Sequence, residues 1–143
     1  MADPQEVAAR WMEAFNAHDP DGMRAVTAPD VTMTAPPEVT LKGEPEVTRY
    51  AMAWLDAFPD ATATVHHETA GGDTVVQEFT FQGTHGATLS GPQGDIPATN
   101  RRLNGRGAQA IEVRDGMISE VRLYFDQVQL LTQLGLMGDQ APA

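Results

Sequence analysis

At Phe58-Pro59-Asp60 the hydrophobic period of the chain changes, and this switch restricts the fold more than any other feature. Upstream, apolar residues recur at helical steps. Val7, Trp11 and Phe15 form one stripe with Ala8 and Met12 beside it, and Val47, Tyr50, Ala51, Trp54 and Ala57 form another after Gly43. Asp3 offers an N-cap, Pro4 fits the first helical position and Glu6 has capping-box spacing. Asp19-Pro20 opens a short second helix carrying Met23 and Val26. Pro29 and Pro36-Pro37 bracket the alternating run Val31-Thr32-Met33-Thr34, which reads as an edge strand. Downstream of the switch the spacing predicts strands over about 61–70, 74–86, 101–114 and 117–125. Gly71-Gly72-Asp73, a Gly91–Asn100 loop and Asp115-Gly116 separate them, and a last helix runs from near Asp126 to Gly135 or Gly138. Helices grouped before an antiparallel meander indicate an α+β fold, with the helices packed on one face of a curved antiparallel sheet.

The 143 residues suit one domain, 1–143, with a core from about 4 to 137 and a frayed tail over 138–143. With 41% hydrophobic residues the chain can bury that core. A net charge of −11 with nine basic residues argues against nucleic acid or an anionic membrane as partner. The absence of cysteine removes disulfides, a thiol nucleophile and cysteine-ligated metals. The start, MADPQEVAARWMEAF, lacks a positive segment followed by an apolar one, and no stretch approaches the ~18–20 apolar residues of a membrane span. A cytoplasmic protein is expected.

Five short motifs, in order, carry a resemblance. They are Phe15-Asn16-Ala17-His18-Asp19, Phe58-Pro59-Asp60, Gly83-Thr84-His85-Gly86, Pro97-Ala98-Thr99-Asn100-Arg101, and the ending Asp115-Gly116-Met117-Ile118, Asp126, Gln133-Leu134-Gly135. Across about residues 7–137 the chain resembles the SnoaL-like polyketide cyclases, a branch of the nuclear-transport-factor-2-like (NTF2-like) cone folds. The resemblance implies a cone-shaped pocket with no cofactor and no metal. It also implies an acid/base aspartate at the end of the last strand, where Asp126 stands. The family's Gln or His pair on the preceding strand is matched by Ala110 and Glu112, a departure from its pattern.

Read from the residues alone, Asp126 has a second role open to it. Asp126-x-x-Gln129 before an apolar run is a capping box, and cap bonds depress a carboxyl pKa. A three-residue hairpin loop pairing Val113 with Met117 places Glu112, Arg122, Tyr124 and Asp126 on one face. Ile111, Val113, Val121, Leu123 and Phe125 take the other. The polar face is the expected pocket wall, with Tyr124, Arg122 and Glu112 as substrate contacts. The apolar face needs cover from helices or a second subunit, so a dimer or tetramer is expected. His85 is a candidate proton donor to a substrate carbonyl, and Trp54 and Phe15 are candidate ligand contacts. His66 and His67 are adjacent on a strand and cannot share a metal.

These features lead to a cofactor-independent cyclase-like enzyme acting on an apolar or polycyclic carbonyl compound by aldol-type chemistry. Two alternatives stay open: an epoxide hydrolase or isomerase using Asp126 with Glu112, and a small-molecule-binding protein without turnover.

Overall fold

A computed structural model describes residues 3–91 and 94–137. The tail expected over 138–143 and the tip of the Gly91–Asn100 loop lie outside the described residues. Helix α1 spans Pro4–Asn16, with the Asp3 carboxylate accepting from the Glu6 N–H at 3.1 Å. Helix α2 follows at Pro20–Ala25, capped by Asp19, whose carboxylate accepts from the Gly22 N–H. Strands β1 (Thr27–Ala35) and β2 (Val39–Lys42) form a hairpin, and helix α3 occupies Glu44–Ala57. Strands β3 (Thr62–Gly71) and β4 (Thr74–Thr84) come next, followed by a small hairpin of β5 (Leu89–Gly91) and β6 (Gly94–Ile96). The long strands β7 (Arg102–Arg114) and β8 (Met117–Phe125) lead into helix α4 at Gln127–Gln133. Gly135, with φ of 75°, lies just beyond its end, where a left-handed residue suits the exit.

Six strands make one sheet in the order β2-β1-β8-β7-β4-β3, and β5–β6 stand apart. The expected sheet was wholly antiparallel with β1 at its edge. Instead β1 lies inside, pairs in parallel with β8 and is covered on its other side by β2. The connection through α3 carries the chain from one edge of the sheet to the other, so the meander returns to β1 only with its last strand. Period-two alternation is the same for parallel and antiparallel neighbours, and β2 is too short for its alternation to stand out. Register breaks between Thr27 and Thr32, Val65 and His67, and Glu112 and Val113 mark bulges that add local twist and bend the sheet. The product is an α+β fold, with α1 and α3 packed against a bent, mixed sheet.

The resemblance motifs are joints of this frame. Asn16 donates to the Ala63 carbonyl and accepts from the Ala63 N–H, so the end of α1 mimics a strand neighbour of β3. His18 reaches the Ala61 carbonyl at 3.1 Å. The Asp60 carboxylate accepts from the Thr84 N–H at 2.7 Å and from its hydroxyl at 3.0 Å, tying the exit of α3 to the end of β4. Those bonds, with Arg102 nearby, hold the Asp60 carboxyl below its ordinary range. Among the described residues, no helix is long and apolar enough to cross a membrane.

Candidate functional site

Helices α1 and α3 cover the inner face of the sheet, but they do not fill it. A cavity of about 110 Å³ remains between them and β4, β7 and β8. Of the two tryptophans, two tyrosines and five phenylalanines, all but Phe58 and Tyr124 line it. Trp54 organises this wall, with edge-to-face contacts to Phe81 at 5.8 Å and Phe125 at 5.6 Å. Such pairs add to area burial and hold the rings in defined orientations. Glycines on β7 make room along this wall, Gly105 beside the cavity and Gly107 under the Phe79 ring. Gly105 and Gly107 stand opposite Phe81 and Phe79 on the neighbouring strand. A Cβ at Gly107 would approach the Phe79 ring to 2.8 Å.

Few polar groups reach this cavity. Asp126, Arg106 and Gln129 line it beside α4, and Gln109 and Tyr50 line its wall. Asp126 is the N-cap of α4, and its Oδ1 accepts from the Gln129 N–H at 3.0 Å. Its Oδ2 accepts no hydrogen bond among the described residues, and the side chain is exposed. Helix α4 is held there because the start of β7 extends past β8 and leaves backbone groups open. Gln129 accepts from the Arg106 N–H, while Gln133 accepts from the Asn104 N–H and donates to its carbonyl. Two glutamines thus stand in for a missing strand and set Asp126 beside the cavity. Burial pushes the Tyr50 hydroxyl above the ordinary phenol range, so it is a neutral donor at physiological pH.

The sequence-predicted site residues divide into two sets. Asp126, Trp54 and Phe15 come together at the cavity. Glu112, Arg122 and Tyr124 share a face, as the alternation requires, but it is the outer one. The inward row of the hairpin is Gln109, Ile111, Val121, Leu123 and Phe125. Arg122 pairs with Glu112 at 2.7 Å and with Glu120 at 3.0 Å. Tyr124 is 59% exposed. The Arg122 hydrogen bond, with one from Thr74, holds the Glu112 carboxyl below its ordinary range. Glu112 is therefore not the partner of Asp126, and the apolar face is hidden under helices and needs no second subunit to cover it.

The hairpin register explains why the faces of the strands were sorted correctly although the loop was not, Asp126 excepted, which lies past the end of β8 and lines the cavity. Asp115 and Gly116 form a two-residue turn with both φ values positive, so Arg114 pairs with Met117 in place of the expected Val113 with Met117. Past the bulge, Glu112 pairs with Glu120. The two shifts add to an even number of residues, which preserves facing. What alternation cannot say is which face the helices choose. For the same reason the inward positions of β7 are Gln109 and Ile111, not Ala110 and Glu112. Gln109 was missed, and its odd-numbered place in the apolar row is the signal that could have found it.

His85 is fully buried, but not at the cavity. Its ring stacks on Phe58 at 5.1 Å, and Nδ1 faces the Thr99 hydroxyl and accepts from the Thr99 N–H. Desolvation pushes its pKa down, partly opposed by the backbone of Ile96 and Ala87. The histidine joins the end of β4 to the 97–101 segment, as Asp60 joins it to α3. No group of three potential metal ligands occurs among the described residues.

Comparison with known proteins gives the same architecture. IdmH from Streptomyces antibioticus, a candidate polyketide cyclase, shares 29% identity with a TM-score of 0.77, covering 94% of this chain and 99% of its own. A candidate SnoaL-like polyketide cyclase from Jannaschia sp. CCS1 has a TM-score of 0.82 at 17% identity, covering 98% and 93%. AclR from Streptomyces galilaeus, a candidate hydroxylase, has a TM-score of 0.77 at 21% identity, covering 95% and 87%. No curated protein sequence matches. The profile of the SnoaL-like polyketide cyclases matches residues 5–134, and with the fold and the aromatic cavity in place, the chain belongs to that family.

Proposed function

We propose that this protein is a cofactor-independent acid/base catalyst of the cyclase type, acting on a compact apolar carbonyl compound. One observation carries the reading: Asp126 is the sole carboxylate among the described residues that line a mainly apolar, aromatic-rich cavity. Family membership points to a small-molecule substrate. A cavity of about 110 Å³ is somewhat smaller than the ~150 Å³ that holds benzene, so it takes at most one small ring. A larger substrate would place one ring-sized end inside and the rest outside.

The chemistry follows from the groups at hand. The free Oδ2 of Asp126 takes a proton from a carbon α to carbonyls, leaving an enolate. The enolate carbon attacks a second carbonyl of the same molecule, forming a carbon–carbon bond, and the resulting alkoxide recovers the proton from Asp126. The neutral Tyr50 hydroxyl and the Arg106 guanidinium are donors for the oxygens that gain charge. His85, Glu112, Arg122 and Tyr124 have no part in this reading, because none of them lines the cavity.

Asp126→Asn tests it. Asparagine caps about as well as aspartate, so the variant should unfold within about 0.5 kcal/mol of the parent. Turnover of β-dicarbonyl substrates should fall by about 10²–10⁴-fold, the usual contribution of a general base. Binding without turnover in the parent protein would move the assignment to a small-molecule-binding protein. The occupied Oδ1, already spent on the helix cap, is the observation that favours that second reading.

A further inference from the structure

A row of polar side chains crosses the inner face of the sheet and ends at the cavity. Glu68 on β3 stands opposite Gln77 on β4, and Gln77 stands opposite Gln109 on β7. The three belong to adjacent strands and form one line perpendicular to them. Gln77 is 1% exposed and Gln109 5%, while Glu68 lies at the solvent-exposed end beside α1. Gln109 Nε2 donates to Gln77 Oε1 at 3.0 Å. Gln77 Nε2 donates to Glu68 Oε1 at 3.0 Å, and Gln5 Nε2 donates to Glu68 Oε2 at 3.0 Å.

The direction of this chain follows from its charged end. An ionised carboxylate only accepts, whereas a primary amide can be turned either way. Beside Glu68, Gln77 must present its NH2, which leaves its oxygen towards Gln109. Gln109 must then present its own NH2 to Gln77, leaving its carbonyl oxygen for the cavity it lines. That oxygen accepts no hydrogen bond among the described residues, while every other amide group along the row is used or exposed. The reverse orientation of either glutamine would set two acceptors or two donors face to face in a buried site, and buried polar groups left unpaired are costly.

We infer that Glu68 is a positioning residue which, through Gln77, makes Gln109 a hydrogen-bond acceptor at the cavity wall, so that the cavity selects ligands bearing an O–H or N–H donor over isosteres that only accept. The preferred ligand is then an enol, phenol or N–H heterocycle of ring size, with its donor directed at Gln109. This rests on the reading of the cavity as a ligand site, but not on Asp126 or on turnover.

Two measurements test it, one without ligand. In protein labelled with 15N and 13C, a through-hydrogen-bond scalar coupling should connect Gln109 Nε2 to the Gln77 side-chain carbonyl carbon. In Glu68→Lys the ammonium donates to Gln77, both amides turn, and the coupling should run from Gln77 Nε2 to the Gln109 carbonyl carbon. Glu68 is exposed, so this variant should fold, and Glu68→Gln serves as the neutral control. In parallel, 1H–15N spectra are followed during titration with pyrrole, which only donates, and pyridine, which only accepts. The parent should prefer pyrrole by about three- to tenfold, the worth of one hydrogen bond. Glu68→Gln should bring the ratio towards one, and Glu68→Lys should invert it. A reversed coupling in the parent, or a pyrrole-to-pyridine ratio that Glu68→Lys leaves unchanged, would overturn the inference. Failure of both rings to bind would overturn the ligand selection and the cavity reading together, while the coupling would still decide the polarity of the chain.

Discussion

The two faces of the β7–β8 hairpin are built from interleaved residues of the same strands, yet they have opposite fates. Inward, Ile111, Val121, Leu123 and Phe125 meet the helices and the cavity. Outward, Ala110, Glu112, Arg122 and Tyr124 meet solvent and one another. Ile111 is 1% exposed and Tyr124 59%. The difference teaches that a concentration of ionisable groups is not by itself a site. Paired charges on an open sheet satisfy each other, whereas Asp126 Oδ2 at the cavity wall accepts no hydrogen bond among the described residues, which is why the proposed site is placed there.

The largest break in that contrast should come from truncating the inner face. Ile111→Ala should cost about 2–5 kcal/mol in urea unfolding, the range for large-to-small changes in a packed core. The same experiment on neighbouring Glu112→Ala should lose no more than about 1 kcal/mol, as for exposed ion pairs. Equal losses at the two positions would mean that the outer face is covered in solution.

Filling the cavity sharpens the contrast between packing and function on the inner face itself. The atoms nearest a Cβ at Gly105 belong to the Leu103 side chain, at ordinary contact distances from 3.5 Å. Gly105→Leu should therefore grow into open space and change stability by less than about 1.5 kcal/mol. Affinity for ring-sized ligands, measured by calorimetry, should fall at least about tenfold through lost volume and contacts. Retained affinity would place the ligand elsewhere.

His85 and Glu112 provide smaller tests, read through pH. Burial lowers the pKa of His85 in the folded protein, while the unfolded chain protonates near the ordinary ~6.5. Its contribution is complete above that value and is lost as pH falls below it, because acid is taken up mainly by the unfolded state. Stability measured from pH 7 to pH 5 should decline, and His85→Gln should flatten the slope whatever it does to the absolute value. An unchanged slope would show that the imidazole is not the group responsible. Glu112 has its carboxyl pKa depressed by Arg122 and Thr74, so its contribution holds above the unfolded value near ~4.3 and fades as pH falls through the folded one. Glu112→Gln should remove only this acid limb, the smallest effect of the series.

Much of the frame was legible before the structure. Capped helix starts at Asp3 and Asp19, the change of period after Phe58, and the four long strands all follow from local preferences of a few residues. The ordered motifs were also legible, and they turn out to be joints: Asn16 with Ala63, Asp60 with Thr84, His85 with Thr99. That is why they speak for the fold more directly than for the chemistry. His85 drew attention as a motif histidine, and in the structure it ties the end of β4 to Thr99, away from the cavity.

Three decisions belonged to the tertiary structure alone. One is strand order: β1 beside β8 and in parallel depends on where the α3 crossover delivers the chain, a matter of packing across the whole sheet. Another is which face of the hairpin turns inward, since alternation sorts side chains into two sets without naming the one the helices will cover. The last is the cavity, where Gly105, Phe79, Phe81 and Trp54 leave space together, although no local sequence window contains all of them. Local sequence determines which element forms, because the forces behind caps, turns and periods act over a few residues. A void, and the polarity of the amide that faces it, depend on residues brought together from distant strands, and only the folded chain contains them.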